Sequence, residues 1–199
     1  VGSLLLLPDQ RRAWVAYDVL AEPAAQHVVL AYDIRGPLDA KRLEDACRRV
    51  VARHEALRAR PVDADEAHVV LEADVPFALT VEEGAADPSS WRDEVTARRI
   101  GLVHGFHTAI LRRFAEDHHG LVWILHRAIA CAASVETLHR SLEAALRGTD
   151  EGEATPGLSA FLADSEARRA SSLAAVMEAA AARLAGELEA PRLHRDRRR

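Results

Sequence analysis

The chain has 199 residues, with 26 Lys or Arg against 31 Asp or Glu, a formal charge of −5. That length suits one ordinary domain, or half of a larger bilobed one, and is enough to bury a core. The acidic balance gives no global case for binding nucleic acid or an anionic membrane surface, Cys47 and Cys131 are too few and too far apart for a disulfide framework, and no apolar run approaches the roughly 20 residues of a membrane span.

Leu4–Leu7 is apolar but lacks a basic leader or cleavage site, so it does not read as a signal peptide. The expected location is the reducing cytoplasm. The Ala- and Arg-heavy usage, with Lys41 the only lysine, is associated with GC-rich bacterial genomes.

In chain order, Asp9 is placed to cap a first helix that shows Gln10, Trp14, Tyr17 and Leu20 on one face. Val28, Leu30, Tyr32 and Ile34 alternate as a strand does, and Gly36-Pro37 ends it. Asp39 opens a long amphipathic helix with Leu43, Ala46, Cys47, Val50, His54 and Leu57 on its apolar side. Two short strands follow, about 67–72 and 77–81, then a loop over 83–90 and a helix over 91–100. Residues 108–114 and 121–126 read as an antiparallel hairpin turning at 116–120. Ser134 is placed to cap a helix carrying Val135, Leu138, Leu142 and Leu146. A linker over 148–157 leads to a last helix over 158–189, which Pro191 stops. The expected class is α/β or α+β: one mixed, mostly antiparallel sheet flanked by helices, with a long C-terminal helix. One domain is expected over 1–199, with a crossover-like tail about 190–199.

The segment carrying chemistry is His126-Arg127-Ala128-Ile129-Ala130-Cys131-Ala132, where a buried strand opens into a helix. It resembles the HHxxxDG signature of nonribosomal peptide synthetase condensation domains, with Arg127 at the second His, Cys131 at the Asp and Ala132 at the Gly. Four further blocks carry the same resemblance in order. Residues 8–14, PDQRRAW, are similar to the family's SPAQxRLW. Residues 35–39 match RGPLD, and 53–58, RHEALR, match RHExLR. Arg183-Leu184-Ala185-Gly186 and 194–197 are similar to RLAG and TDRPR at the end of the family's first lobe.

The resemblance implies one lobe of a two-lobed, chloramphenicol-acetyltransferase-like fold. The family's active site lies between its lobes, where substrates arrive on the phosphopantetheine arms of carrier proteins. There are departures besides the signature. The PFDL block stands as Ile100-Gly101-Leu102-Val103, and a Tyr-Trp pair is replaced around Met177.

An imidazole exchanges a proton near neutral pH, whereas a guanidinium stays protonated and only donates. Arg127 therefore cannot take a proton from an attacking amine, and a buried thiol at Cys131 would be neutral. Each position carries two readings. His126 is either a polar group near the tunnel floor or, preferably, a buried structural histidine. Arg127 either binds a phosphopantetheine phosphate or an acidic partner, or forms a lobe-stabilising ion pair. Cys131 is read as inert rather than nucleophilic. His104, His107, His118 and His119 read as solvated turn histidines rather than zinc ligands, so no metal is expected. The basic tail 192–199 reads as a crossover segment rather than an RNA contact. Arg53, His54, Glu55, Arg58 and Trp14 are assigned to the fold.

The expected function is a truncated, catalytically inactive condensation-like module with no bound cofactor. It would hold a carrier protein, a neighbouring synthetase domain or a tailoring oxygenase. The alternatives are half of an acyltransferase completed by a second condensation lobe, or a remnant stabilising an adjacent adenylation domain.

Overall fold

The computed structural model describes residues 3–63, 67–84, 86–149 and 156–184. Residues 185–189 of the expected last helix and the tail 190–199 lie outside the described residues, as do 150–155 of the linker. The backbone divides into two compact units, Val1–Leu162 and Ala163–Arg199.

In the first unit, helix α1 (Pro8–Val19) is not capped by Asp9, which lies inside the first turn. Gln10 takes that role: its Oε1 accepts the Leu7 N–H at 2.9 Å, satisfying a donor the helix start leaves free. Strand β2 (His27–Arg35) alternates as its sequence requires, and Gly36 turns the chain out of it with φ +97°, a conformation that suits a residue without Cβ.

Helix α2 (Ala40–Arg53) starts where Asp39 Oδ1 accepts the Arg42 N–H at 3.0 Å, and buries Leu43, Ala46, Cys47, Val50 and Val51. It is shorter than the apolar spacing suggests. His54 is already extended, and Glu55–Arg58 form a 3₁₀ turn. These residues bond across the fold: His54 Nε2 meets Ser141 Oγ at 2.9 Å, and Arg58 donates to the Glu72 carbonyl at 2.7 Å. Tertiary bonds thus end the helix before its pattern does.

Two sheets are present where one was expected. Strands β1 (Ser3–Leu5), β4 (His68–Leu71) and β3 (Ala59–Asp63) form a small antiparallel sheet in the order β1-β4-β3. β1 has only three residues, and Pro61 interrupts β3, where an edge position tolerates its missing N–H. Neither strand shows clear alternation. The main sheet has the order β2-β7-β6-β5, with β5 (Thr80–Glu83), β6 (His107–Ala115) and β7 (His118–His126). Only the β5–β6 pair is parallel, so the sheet is mixed and mostly antiparallel. β5 begins three residues later than expected because Phe77 and Leu79 enter the core before the ladder forms.

Helix α3 (Pro88–Ala97) also starts earlier than expected, since Asp87 caps it by accepting the Ser90 N–H at 2.8 Å. The β6–β7 turn is confined to Glu116 and Asp117, so His118 and His119 belong to the strand. Helix α4 (Ala132–Arg147) has Cys131, not Ser134, at its cap and ends at Gly148 with φ +68°.

β7 is one of the two interior strands of the main sheet and is buried on both faces, which explains its unbroken apolar run. Leu121, Trp123 and Leu125 join the core under α2 and α4, while Val122 and Ile124 join Tyr17, Trp91 and Val95 on the other face. A third cluster links Trp14, Phe106, Val69, Leu158 and Leu162.

Helix α5 (Leu158–Leu184) begins in the first unit, with Leu158 and Leu162 buried. Its first turn is capped from a distant part of the chain: Glu55 Oε2 accepts the Ser159 N–H at 3.0 Å and the Ser159 hydroxyl at 2.7 Å. In the second unit the helix exposes Leu173, Val176 and Met177.

A Cβ at Gly120 would stand 2.6 Å from the Trp91 ring and 3.0 Å from Phe114, both held in the packed face. Gly120→Ala should therefore cost about 1–3 kcal/mol in urea unfolding, whereas Gly101→Ala, with nothing within 4 Å, should stay within about 0.5 kcal/mol. The Ser159 bonds hold the Glu55 carboxyl below its ordinary value of 4.5. Its contribution is then complete above about pH 4.5 and is lost as pH falls through the lower folded value. Glu55→Ala should cost about 0.5–2 kcal/mol at pH 7, and the gap from the wild type should narrow on acidification.

Candidate functional site

The corner between β7 and α4 collects the side chains of the signature. Its backbone is fixed from several sides. The His126 N–H donates to Phe106 O at 2.7 Å, the Arg127 N–H to Gln26 O at 2.9 Å, and the Ile129 N–H to His126 O at 3.0 Å.

His126 continues the row of Val122 and Ile124 into the interior and is 0% exposed. Its Nδ1 accepts the Ala128 N–H at 3.0 Å. Its ring stands edge-on to Tyr17, with centroids 4.7 Å apart, and near Phe106 at 5.9 Å. Because Nδ1 accepts, the neutral ring carries its proton on Nε2, and that buried nitrogen has no partner among the described residues. Burial, helped by nearby His27, pushes the imidazole down to about 4, so it is neutral at physiological pH.

The next residue alternates outward. Arg127 is exposed, and among the described residues its guanidinium has no hydrogen-bond or ion-pair partner. A lobe-stabilising ion pair is therefore not seen there. Cys131 is exposed too, not buried, and sits at the α4 N-cap. Its N–H donates to Ser134 Oγ at 3.0 Å, and its Sγ lies 3.7 Å from the same oxygen. The bond with the Ser134 hydroxyl draws the thiol below its ordinary value; the Ala133 and Ser134 amides add to this against a modest burial cost.

Gln10 joins α1 to this corner: its Nε2 donates to the Ala128 carbonyl at 2.8 Å. Sequence reasoning placed Gln10 on a helix face and missed this contact. The available signal was its place in the PDQRRAW block, beside an α1 whose Trp14 is 3% exposed and stands edge-on to Phe106 at 5.4 Å. Tyr17, His27 and Phe106, which surround His126, were likewise not read as belonging to the site.

A cavity of about 230 Å³ adjoins the corner, lined among others by His54, Leu57, Ile129, Ala133 and Thr137. The RHEALR block thus borders the site through His54 and Leu57, while Glu55 and Arg58 bond elsewhere in the fold. Arg53 lies in the last turn of α2. A larger cavity, about 320 Å³, lies on the other face of the main sheet between α3 and Gly120.

The hairpin histidines are not solvated turn residues. His118 Nε2 is 2.9 Å from Asp33 Oδ1, and His119 is 4% exposed. His107 pairs through Nε2 with Leu57 O at 3.0 Å, and burial pushes it down to about 4. Among the described residues no three His, Cys, Asp or Glu side chains converge as a metal site would require. No helix among them is long and apolar enough to cross a membrane.

The corner therefore presents a fixed cation and an exposed thiol at a helix start. Neither His126 nor Arg127 offers an accessible basic lone pair, so Arg127 can meet an anion but neither side chain can deprotonate an amine.

The family model for the condensation domain matches residues 2–162. The chain is 32% identical over 157 residues to the isonitrile lipopeptide synthase of Mycobacterium tuberculosis, covering 73% of this chain and 6% of that protein. The X-domain solved in complex with OxyB from teicoplanin biosynthesis superposes with a TM-score of 0.70 at 27% identity, over 81% of this chain and 37% of that one. The first condensation domain of the calcium-dependent antibiotic synthetase gives 0.65 at 23% identity, over 85% of this chain and 44% of that one, a likeness of fold. The chain thus spans less than half of each of these proteins. The α/β fold is chloramphenicol-acetyltransferase-like, and the chain belongs to the condensation-domain family of nonribosomal peptide synthetases.

Proposed function

We propose that this chain is a non-catalytic condensation-type module that recruits a partner to a nonribosomal peptide assembly line. The partner favoured is a tailoring oxygenase; a carrier protein or neighbouring synthetase domain is the wider class. The observation that carries the reading is the inversion at the corner: the one signature side chain that reaches solvent at the base position is a permanent cation, and the retained imidazole is sealed in the core. Supporting it is the resemblance to an X-domain whose solved structure is a complex with OxyB. Arg127 would contribute an anion contact, either to an acidic side chain of the partner or to the phosphate of a carrier protein's phosphopantetheine arm.

The competing reading is half of an acyltransferase completed by a second lobe. The two differ in product. Incubated with donor- and acceptor-loaded carrier proteins, the chain should yield no condensed dipeptide above background by mass spectrometry, with or without a separately expressed second lobe. A dipeptide that disappears in Arg127→Ala would overturn the recruitment reading. In a binding assay against oxygenases and carrier proteins from the same gene cluster, the cognate partner should bind and Arg127→Ala should weaken it about tenfold, or ~1.4 kcal/mol. The loss should shrink as salt is raised. Failure to bind any of them would count against recruitment.

A further inference from the structure

The Ala128 peptide is held from both sides by side chains distant in sequence. Its carbonyl accepts from Gln10 Nε2 at 2.8 Å, and its N–H donates to His126 Nδ1 at 3.0 Å. Gln10 is itself fixed, because its Oε1 accepts the Leu7 N–H. A relay therefore runs from the start of α1 through Gln10 and the Ala128 peptide to His126. The peptide it grips lies between Arg127 and Cys131. We propose that Gln10 and His126 form a clamp on the Ala128 peptide, and that protonation of His126 is the event that releases it and loosens the corner presenting Arg127 and Cys131. This goes beyond the recruitment reading and stands or falls without any partner.

The geometry gives the chemistry. A second proton on His126 must sit on Nδ1, the atom that accepts the Ala128 N–H, so two donors would face each other and the bond must break. Among the described residues the Nε2–H has no acceptor in its buried surroundings, and no carboxylate faces the ring to stabilise an imidazolium. From α1 comes Tyr17; from β2 comes His27, paired with His126 in the ladder. Phe106 faces it from the segment before β6.

His27 is itself fixed as a neutral ring. Its Nδ1–H donates to Thr96 O at 2.9 Å, and its Nε2 accepts from the Tyr17 hydroxyl at 3.1 Å. That hydroxyl in turn accepts the Ile100 N–H. The Arg99 guanidinium lies 4.9 Å over the Tyr17 ring and opposes protonation of His27. The sign is then fixed. With its folded value near 4 against an ordinary 6.5, the clamp is intact above about pH 6.5 and weakens as pH falls toward 4.

NMR on the complete chain tests this, using ¹⁵N-labelled histidine and amide exchange. At pH 7 His126 should show the neutral Nε2–H tautomer. Between pH 6 and 4 it should titrate together with loss of protection at the Ala128 amide, while core amides such as those of Val50 and Trp123 remain protected. In Gln10→Met, similar in size but unable to bond, the Ala128 amide should exchange about tenfold faster at pH 7. The His126 titration should also move up toward 6.5 while the amides of Val50 and Trp123 stay protected, which separates release of the clamp from general loss of packing. Gln10→Glu, which can still accept from Leu7 N–H but cannot donate while ionised, should raise Ala128 exchange with α1 intact. Titration of wild-type His126 near 6.5, an Nδ1–H tautomer, or loss of protection across the whole chain at once would overturn the proposal. So would unchanged Ala128 exchange in both folded Gln10 variants.

Discussion

A strand buried on both faces imposes a strict rule on whatever follows it: consecutive side chains go alternately to one core and the other until the chain leaves the sheet. β7 keeps that rule to its last residue. Leu125 goes under α2 and α4, and His126 goes to the face of Tyr17. Arg127 is the first side chain beyond the strand and the first to meet solvent. The two adjacent positions of an HHxxxDG-type signature are therefore not equivalent. The first belongs to the interior, where an imidazole is tolerated only neutral because its charged form would lose hydration without gaining an acceptor. The second faces outward, and a guanidinium there offers solvent donors but no lone pair to take a proton. Placing a guanidinium there changes chemistry at almost no structural cost.

The start of α4 shows the same separation. A helix N-terminus presents free amides and favours an acceptor or a negative charge. A carboxylate at the cap would serve well; Cys131 serves weakly, and Ser134 Oγ compensates by accepting the Cys131 N–H and meeting its sulfur. The helix still starts at the same corner, held by a serine three residues in. Among the described residues no side chain at this helix start pairs with Arg127.

Much of this was legible in the sequence, and the gaps have physical causes. The β2 alternation, the Asp39 cap and the double-buried run of β7 express local rules with little competition. The end of α2 did not, because His54 and Arg58 bond to Ser141 and the Glu72 carbonyl, and these partners are invisible to periodicity. The small sheet was missed because three residues and a proline-broken edge give too little alternation to read. At the candidate site, residues 126, 127 and 131 stand together at the corner between β7 and α4, but Cys131 is exposed where the sequence reading treated it as buried. The strand ends at His126, so residues beyond it need not share its burial. Gln10 could be recognised only as part of a block, since its partner lies 118 residues away.

Set beside the family blocks, several residues this chain shares are structural, while two of the signature positions it has replaced face solvent. Gln10, Trp14, His54, Glu55, Arg58 and His126 each make a bond or ring contact that holds backbone or core in place. Arg127 and Cys131 are both exposed and support little beyond themselves. Loss of any contact in the first group would cost stability that a marginally stable domain can ill spare. Replacement has reached the interior too, since Ile100 in the altered PFDL block is buried; what sets Arg127 and Cys131 apart is that they stand on the surface of the corner, where the proposed recruitment role needs them. In that role, the shape of the corner and the charge it displays are what a partner reads.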